Sequence, residues 1–537
     1  MTKWLLSLCM LGLSTGVFAQ NWADLNKQGQ ELMKKSSFKE AATVYEKALT
    51  AAEKQFGNTH DNYQQTLMSL GDSYDGFKAY DKARNCYLQV VQLKKDLKKD
   101  NSVDYANVLN LVAKSYANSK DMLNAEVYYT ECLTARKKIQ KESHPDYIRT
   151  RFQLAKMYKD ANRLDKAEFE YNAILQPAKD ILGAKNPEYA EILADIGDIS
   201  FARKKYDKAI EQYEQYIAVT KGLAGKVTDK DLYPVYLNLG DAYRFSKNYD
   251  KAVINYNESL KIAEGDVEDT QLLDNYSTIT GYFNEMDKEA EAEKLLEKKR
   301  ELIKKTKGNR SIEYIQNSID LSQVYIRSNQ LPKAKEKLEH ALEACKEMGK
   351  DKDPIYAVIL DQLGKVAEKE NKRTDAENFY IQALEQRKVS LKGKENELAK
   401  SMDSLAFFYQ YDSKYSKADS VFKASMEIRK KNPGVKHPDY ASSLDNIGKL
   451  LILQDKFKDG ENLLKQASQI YFAYYGGRSN EYATNQLQMA EIYRNVKNYP
   501  EALKLYRKVL DLLNKNDTKY TEVQQHIATL TEEMNKK

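Results

Sequence analysis

The chain has 537 residues, of which 85 are basic and 79 acidic, for a formal net charge of +6. A charged fraction of 31% and a mean hydropathy of −0.72 suit helices that bury one face only. The small basic excess is interleaved with acid along the chain, which argues against the clustered basic surface of a nucleic-acid binder.

Residues 1–19 stand apart. Lys3 supplies a short positive start, Leu5 to Leu13 is apolar, and Val17-Phe18-Ala19 is a small-x-small site before Gln20. This is the pattern of a secretory signal peptide; the rival reading is an uncleaved anchor. Cys9 follows Leu8 and so lacks the small residue of a lipoprotein cleavage site. No later stretch approaches eighteen apolar residues, so no membrane insertion is expected after cleavage. The expectation is an exported chain, periplasmic or secreted. Its remaining cysteines, Cys86, Cys132 and Cys345, form no CxxC and fall in helices as small hydrophobes, so neither disulfide nor metal site is expected.

From about residue 22 to 514 one unit recurs twelve times. Each copy has a small residue followed twelve positions later by another. The pairs are Gly29/Ala41, Gly71/Ala83, Ala113/Ala125, Ala155/Ala167, Gly197/Ala209, Gly240/Ala252, Thr278/Ala290, Ser322/Ala334, Gly364/Ala376, Ala406/Ala418, Gly448/Gly460 and Ala490/Ala502. First anchors are 42 residues apart in eight of eleven steps; the others are 43, 38 and 44. In copy two, Leu67, Leu70, Gly71 and Tyr74 mark one face of a helix, and Ala83, Tyr87 and Val90 the face of a second. The anchors are small because the two helices cross there, and overpacking such a site costs about 1–3 kcal/mol. First helices open at His144-Pro145-Asp146, Asn186-Pro187-Glu188, Asp353-Pro354 and His437-Pro438-Asp439, with Pro at the one position where its missing N–H is harmless. Capping is the expected role of these histidines. Pro177 falls inside a second helix and is expected to kink it.

Leu67-Met-Ser-Leu70-Gly71-x-x-Tyr74 with Ala83-x-x-x-Tyr87 resembles the tetratricopeptide repeat. The 42-residue period and His-Pro-Asp-Tyr openings are similar to the long repeats of kinesin light chains. The resemblance implies an all-α solenoid, a right-handed superhelix of about twelve hairpins, with first helices lining its inner face. It implies binding of a protein or peptide. Copy seven is the weakest, which divides the chain into 20–263 (copies one to six), 264–305 (copy seven, a possible joint), 306–514 (copies eight to twelve) and a capping helix in 515–537.

No HExxH, GxSxG or GxGxxG occurs, and Gly222 to Lys226 fails as a phosphate loop because Thr220 and Val227 stand where Gly and Ser/Thr are needed. No enzyme activity or cofactor is expected. By the resemblance, side chains two before and one and four after each first anchor face the partner. The candidate peptide contacts are Lys114, Arg149, Lys156 and Lys159 as a basic step and Asp195, Asp198 and Asp241 as an acidic one, with Gln153 and Asn238 between as amide contacts. Such a step would orient a ligand of opposite charge order. The alternative in a different class is a regulatory module for a separately encoded or lost catalytic domain, a caspase-like peptidase or histidine kinase.

Overall fold

The structure is a computed structural model that describes residues 21–223, 229–390, 395–513 and 518–535. The leader at 1–19 and the Gly225-Lys226 pair lie outside the described residues. Among the described residues the chain is all-α, with 25 α-helices packed as consecutive hairpins. None is long and apolar enough to cross a membrane.

Sequence dictates where each hairpin begins. Asn21, His60, Ser102, His144, Asn186, Ser311, Asp353, His437 and Ser479 all accept a first-turn backbone N–H through their side chains. In His60, His144 and His437 the acceptor is imidazole Nδ1, at 3.1–3.2 Å. The expected capping is therefore present, and it satisfies donors that a helix start leaves orphaned.

The turn inside each hairpin is equally regular. Seven residues after the first anchor the backbone enters the left-handed region, from Ser36 (φ 57°) to Lys497 (φ 61°). The next N–H then reaches back to the carbonyl three after the anchor, as in Ala79 N to Tyr74 O at 2.9 Å. This closes the helix in a Schellman turn. No glycine fills that position in any of the twelve copies; lysine, asparagine, aspartate and serine do.

Packing follows the anchors. Every anchoring alanine except Ala290 is fully buried. A Cβ on Gly29, Gly71, Gly197, Gly240 or Gly364 would lie 2.5–2.8 Å from the ring of the tyrosine sixteen residues on. In copy eleven the backbones themselves meet, with a Gly460 Cβ placed 2.6 Å from Gly448 O.

Copy seven needs correction. Its left-handed residue is Asp287, which puts the first anchor at Thr280 and the second at Ala292. Both are buried, whereas Thr278 and Ala290 are exposed. Phe283 takes the place of the usual tyrosine and Leu296 that of the ring on the second helix, each 1% exposed. The hairpin, Asp269–Glu285 and Glu289–Lys307, is thus regular, and its identity was hidden by a β-branched anchor. The helix Leu164–Ile181 continues through Pro177.

The chain forms two compact units, 1–267 and 268–537. The first holds copies one to six. The second holds copies seven to twelve and a last helix, Thr518–Asn535, whose Val523 and Leu530 pack into the cluster of Ala502, Tyr506 and Val509.

Between hairpins a second pattern recurs. A glutamate one after a second anchor meets a lysine 40 residues later: Glu126–Lys166 at 2.7 Å, Glu168–Lys208 at 3.3 Å, Glu293–Lys333 at 3.3 Å and Glu377–Lys417 at 2.8 Å. Lys166, Lys333 and Lys417 also lie over the tyrosine rings of their own hairpins, 5.1–5.3 Å from Tyr158, Tyr325 and Tyr409. Lys417 and its neighbour Lys414 hold the Glu377 carboxyl down at about 2 against the cost of burial.

Candidate functional site

In the first unit, the anchor offsets assigned to the partner do bring side chains of neighbouring first helices together. Lys159 Nζ lies 2.5 Å from both Asp195 Oδ1 and Asp198 Oδ2. Asn238 Nδ2 donates to Asp198 Oδ1 at 3.3 Å. Burial pushes the Asp195 carboxyl above its ordinary range, against the pull of Lys159. Burial also opposes the Lys159 charge, but the two carboxylates outweigh it and hold the ammonium above its ordinary value. Lys114 pairs with Asp75 at 3.8 Å, Lys156 with Glu191 at 2.5 Å and Asp241 with Arg244 at 3.1 Å. Arg149 sits nearer the helix openings, on Glu188 at 2.9 Å and Asp146 at 3.5 Å. Gln153 keeps a buried Oε1 that accepts no hydrogen bond.

Lys159 therefore joins the basic step to the acidic one, while Lys114, Arg149, Lys156 and Asp241 are neutralised by residues outside both steps. The acids have a further duty that the sequence reading missed. Tyr213 donates to Asp198 at 2.8 Å, Tyr256 to Asp241 at 2.7 Å, Tyr87 to Asp72 at 2.8 Å and Tyr506 to Glu491 at 2.6 Å. In each pair the acid follows the first anchor and the tyrosine lies fifteen residues on. A buried phenol needs an acceptor. That fixed interval was the available signal.

The second unit offers a different surface. Copies nine and ten, with first helices Pro354–Lys369 and Glu395–Tyr411, enclose a cleft of about 480 Å³. Gln362, Lys365 and Glu368 line it from one helix, and Ser404, Phe407 and Gln410 from the next. These are the same three offsets in two successive copies. Phe407 is 44% exposed, and its ring is braced edge-on by the fully buried Phe422 at 5.1 Å. Gln410 Oε1 is buried with no donor. Glu368 accepts the Tyr380 phenol at 3.0 Å. Phe407 was overlooked because the inner positions were read for charge; it is the one aromatic in the row that follows the first anchors.

No group of His, Cys, Asp and Glu among the described residues is arranged to hold a metal ion. Repeated helical hairpins of this kind define a class of stacked repeat proteins. Family models for the tetratricopeptide repeat match residues 24–96, 104–176, 397–473 and 450–515, and a second model of the same description matches 233–266. Together they span more than half of the chain, which belongs to the tetratricopeptide repeat family. Solved structures with similar chains include BtubC (BKLC) from P. vanneervenii, at 19% identity over 42% of this chain and 91% of that one, TM-score 0.38. A putative kinesin light chain from Podosopora anserina, with nearly identical TPR-like repeats, is 14% identical over 38% of this chain and 97% of its own, TM-score 0.34. Yeast Tom70 is 15% identical over 88% and 97%, TM-score 0.38. No curated protein matches the chain.

Proposed function

We propose that this chain is an exported, non-enzymatic scaffold that binds a protein or peptide along the first-helix faces of its hairpins. The observation that carries the reading is the cleft between copies nine and ten, where a braced, exposed Phe407 stands beside Gln410, whose buried Oε1 has no donor. A passing peptide N–H would complete that amide, and an apolar side chain would cover the ring. In the first unit the same reading gives Gln153 the peptide contact. It leaves Lys159, Asp195 and Asp198 to join neighbouring hairpins, so Lys114, Arg149, Lys156, Asn238 and Asp241 meet a ligand only by exchanging partners they already have.

Export rests on the pattern Lys3 to Ala19. N-terminal sequencing from native cells should begin at Gln20; intact Met1 in the cytosol would refute it. For binding, the full chain and Phe407→Ser are used side by side as bait on envelope extract. The reading expects a protein retained by the parent and lost from the variant at equal helicity. Identical captures by both would remove the cleft from the site.

A further inference from the structure

The turns inside the hairpins carry a row of their own. In copies two, three, five and six the left-handed residue is a lysine, Lys78, Lys120, Lys204 and Lys247, with φ between 58° and 67°. All four are exposed. Glycine takes that backbone shape at less cost, so whatever the lysines add lies in their side chains. Among the described residues Lys78, Lys120 and Lys204 form no ion pair. The pattern is densest at copies five and six. Residues 203–208 and 244–251 hold seven cations and two carboxylates, Asp207 and Asp250. Asp165 and Glu168 reach across to Arg203, Glu168 also to Lys205 and Lys208 at 3.3 Å, and Asp241 holds Arg244. Counting those three acids as well leaves seven cations against five carboxylates. Lys204, Lys205 and Lys208 line an open cleft of about 480 Å³ with Tyr206, Asp207 and, from the next turn, Ser246. Beside it Tyr206 and Phe245 stack at 5.3 Å with planes 12° apart, and Phe201 meets Phe245 at 5.8 Å. Phe245 is still 46% exposed. Copies two to five hold Gly76, Asn118, Asp160 and Ala202 in its place. A braced ring among lysines at a hairpin tip is apolar surface that gains by leaving water.

We propose that the turns of copies five and six seat the chain on an anionic phospholipid surface, with no segment crossing the bilayer. The lysines meet headgroup phosphates, and Phe245 enters the boundary between headgroups and acyl chains. Each half of the patch finds its complement there. A lysine beside an anionic leaflet gains about 1 kcal/mol, its long stem reaches past the ring to the phosphate plane, and aromatic rings favour that depth. A free anion would satisfy the lysines but leave Phe245 in water. A nucleic-acid strand would set a continuous phosphate backbone against Asp207 and Asp250, which occupy the same place in the two turns. A mixed bilayer also offers the cationic ends of zwitterionic headgroups, which suit those two acids. The patch sits at the ends of the first helices rather than along them, so it is separate from the faces assigned to a protein ligand.

The test is vesicle flotation of the chain from Gln20 onward, so that the apolar stretch before it takes no part. One set of vesicles is phosphatidylethanolamine with phosphatidylglycerol, the other phosphatidylethanolamine with phosphatidylcholine. Inorganic phosphate and oligothymidylate serve as competitors at matched ionic strength. The proposal expects flotation with the first set only, declining as salt rises, and displaced by neither competitor. Lys204→Glu and Phe245→Ser should each lower vesicle affinity at least about fivefold. Lys497→Glu, at the corresponding turn of copy twelve, should leave it unchanged. All three positions are exposed, so the melting temperature should hold; should Phe245→Ser fail to fold, the two lysine variants decide. No flotation, or flotation with both vesicle sets, overturns the proposal. So does equal behaviour of Lys204→Glu and Lys497→Glu. Displacement by phosphate would make the cleft a free-anion site, and displacement by oligothymidylate a nucleic-acid site; either removes the bilayer as its occupant.

Discussion

A lysine held at positive φ bears a local cost, because its Cβ crowds its own backbone. Lys120, at φ 67°, is exposed and closes the turn of copy three. Lys120→Gly should raise stability by about 1 kcal/mol in denaturant titration, and Lys120→Val should lower it. Asp445 gives a second test. Burial lifts its carboxyl from 3.8 to about 6, more than Lys449, Asn485 and Tyr471 pull it down. The folded chain then binds more protons than the unfolded chain between those values, so stability falls as pH rises through that window. Asp445→Asn should be relatively more stable than the parent at pH about 7.5 than at about 4, by roughly 3 kcal/mol at most. A constant difference between the two chains would refute this. Residue identities at buried positions were readable because alanine and tyrosine recurred with helical spacing. The roles of Asp198 and Asp241 were missed because a carboxylate by itself looks the same whether it serves a phenol or a ligand, and only the fifteen-residue interval to Tyr213 and Tyr256 tells them apart.

At the level of the helical hairpin, copy seven separates two registers. If Ala292 is the anchor, Ala292→Leu should cost about 1–3 kcal/mol by overpacking. Ala290→Leu, on an exposed position, should stay within about 0.5 kcal/mol. The reverse ranking would restore the Thr278/Ala290 register. Small-residue anchors were legible wherever Gly or Ala held the place, and failed at Thr280, where Thr and Phe283 replace the usual pair. With the corrected register the uneven steps shrink to 43 before copy six and 40 before copy seven. In sequence the internal turn of copy two reads as Tyr80-Asp81-Lys82, but the chain turns at Lys78, with the helix already under way from Tyr80; the expected stop signal is glycine, and here lysine, asparagine, aspartate and serine perform it.

At the scale of the whole molecule, stacked repeats draw stability from their own hairpins and immediate neighbours. Residues 20–267 and 268–537, expressed separately, should each be helical by circular dichroism and melt cooperatively. Aggregation or a flat melt of either would contradict two compact units. The number of hairpins and the repeat family were legible because period is a property that survives drift at single positions. The cleft of copies nine and ten was not, because it depends on one departure from the pattern, Phe407, rather than on the pattern.

The 40-residue glutamate–lysine ties have a genetic consequence. Copies three, four, seven and nine present an acid forwards, and copies four, five, eight and ten a base backwards, in the same places, so these pieces are interchangeable at the tie. Excising residues 125–166, one full period, would put Glu168 in the place of Glu126 and leave its tie to Lys208 intact. It would remove Glu126 and Lys166 together. No carboxylate or ammonium of that tie is stranded. For these ties loss or duplication of one period is therefore a small step, and arrays of different length can arise from one ancestor with the ties kept in register.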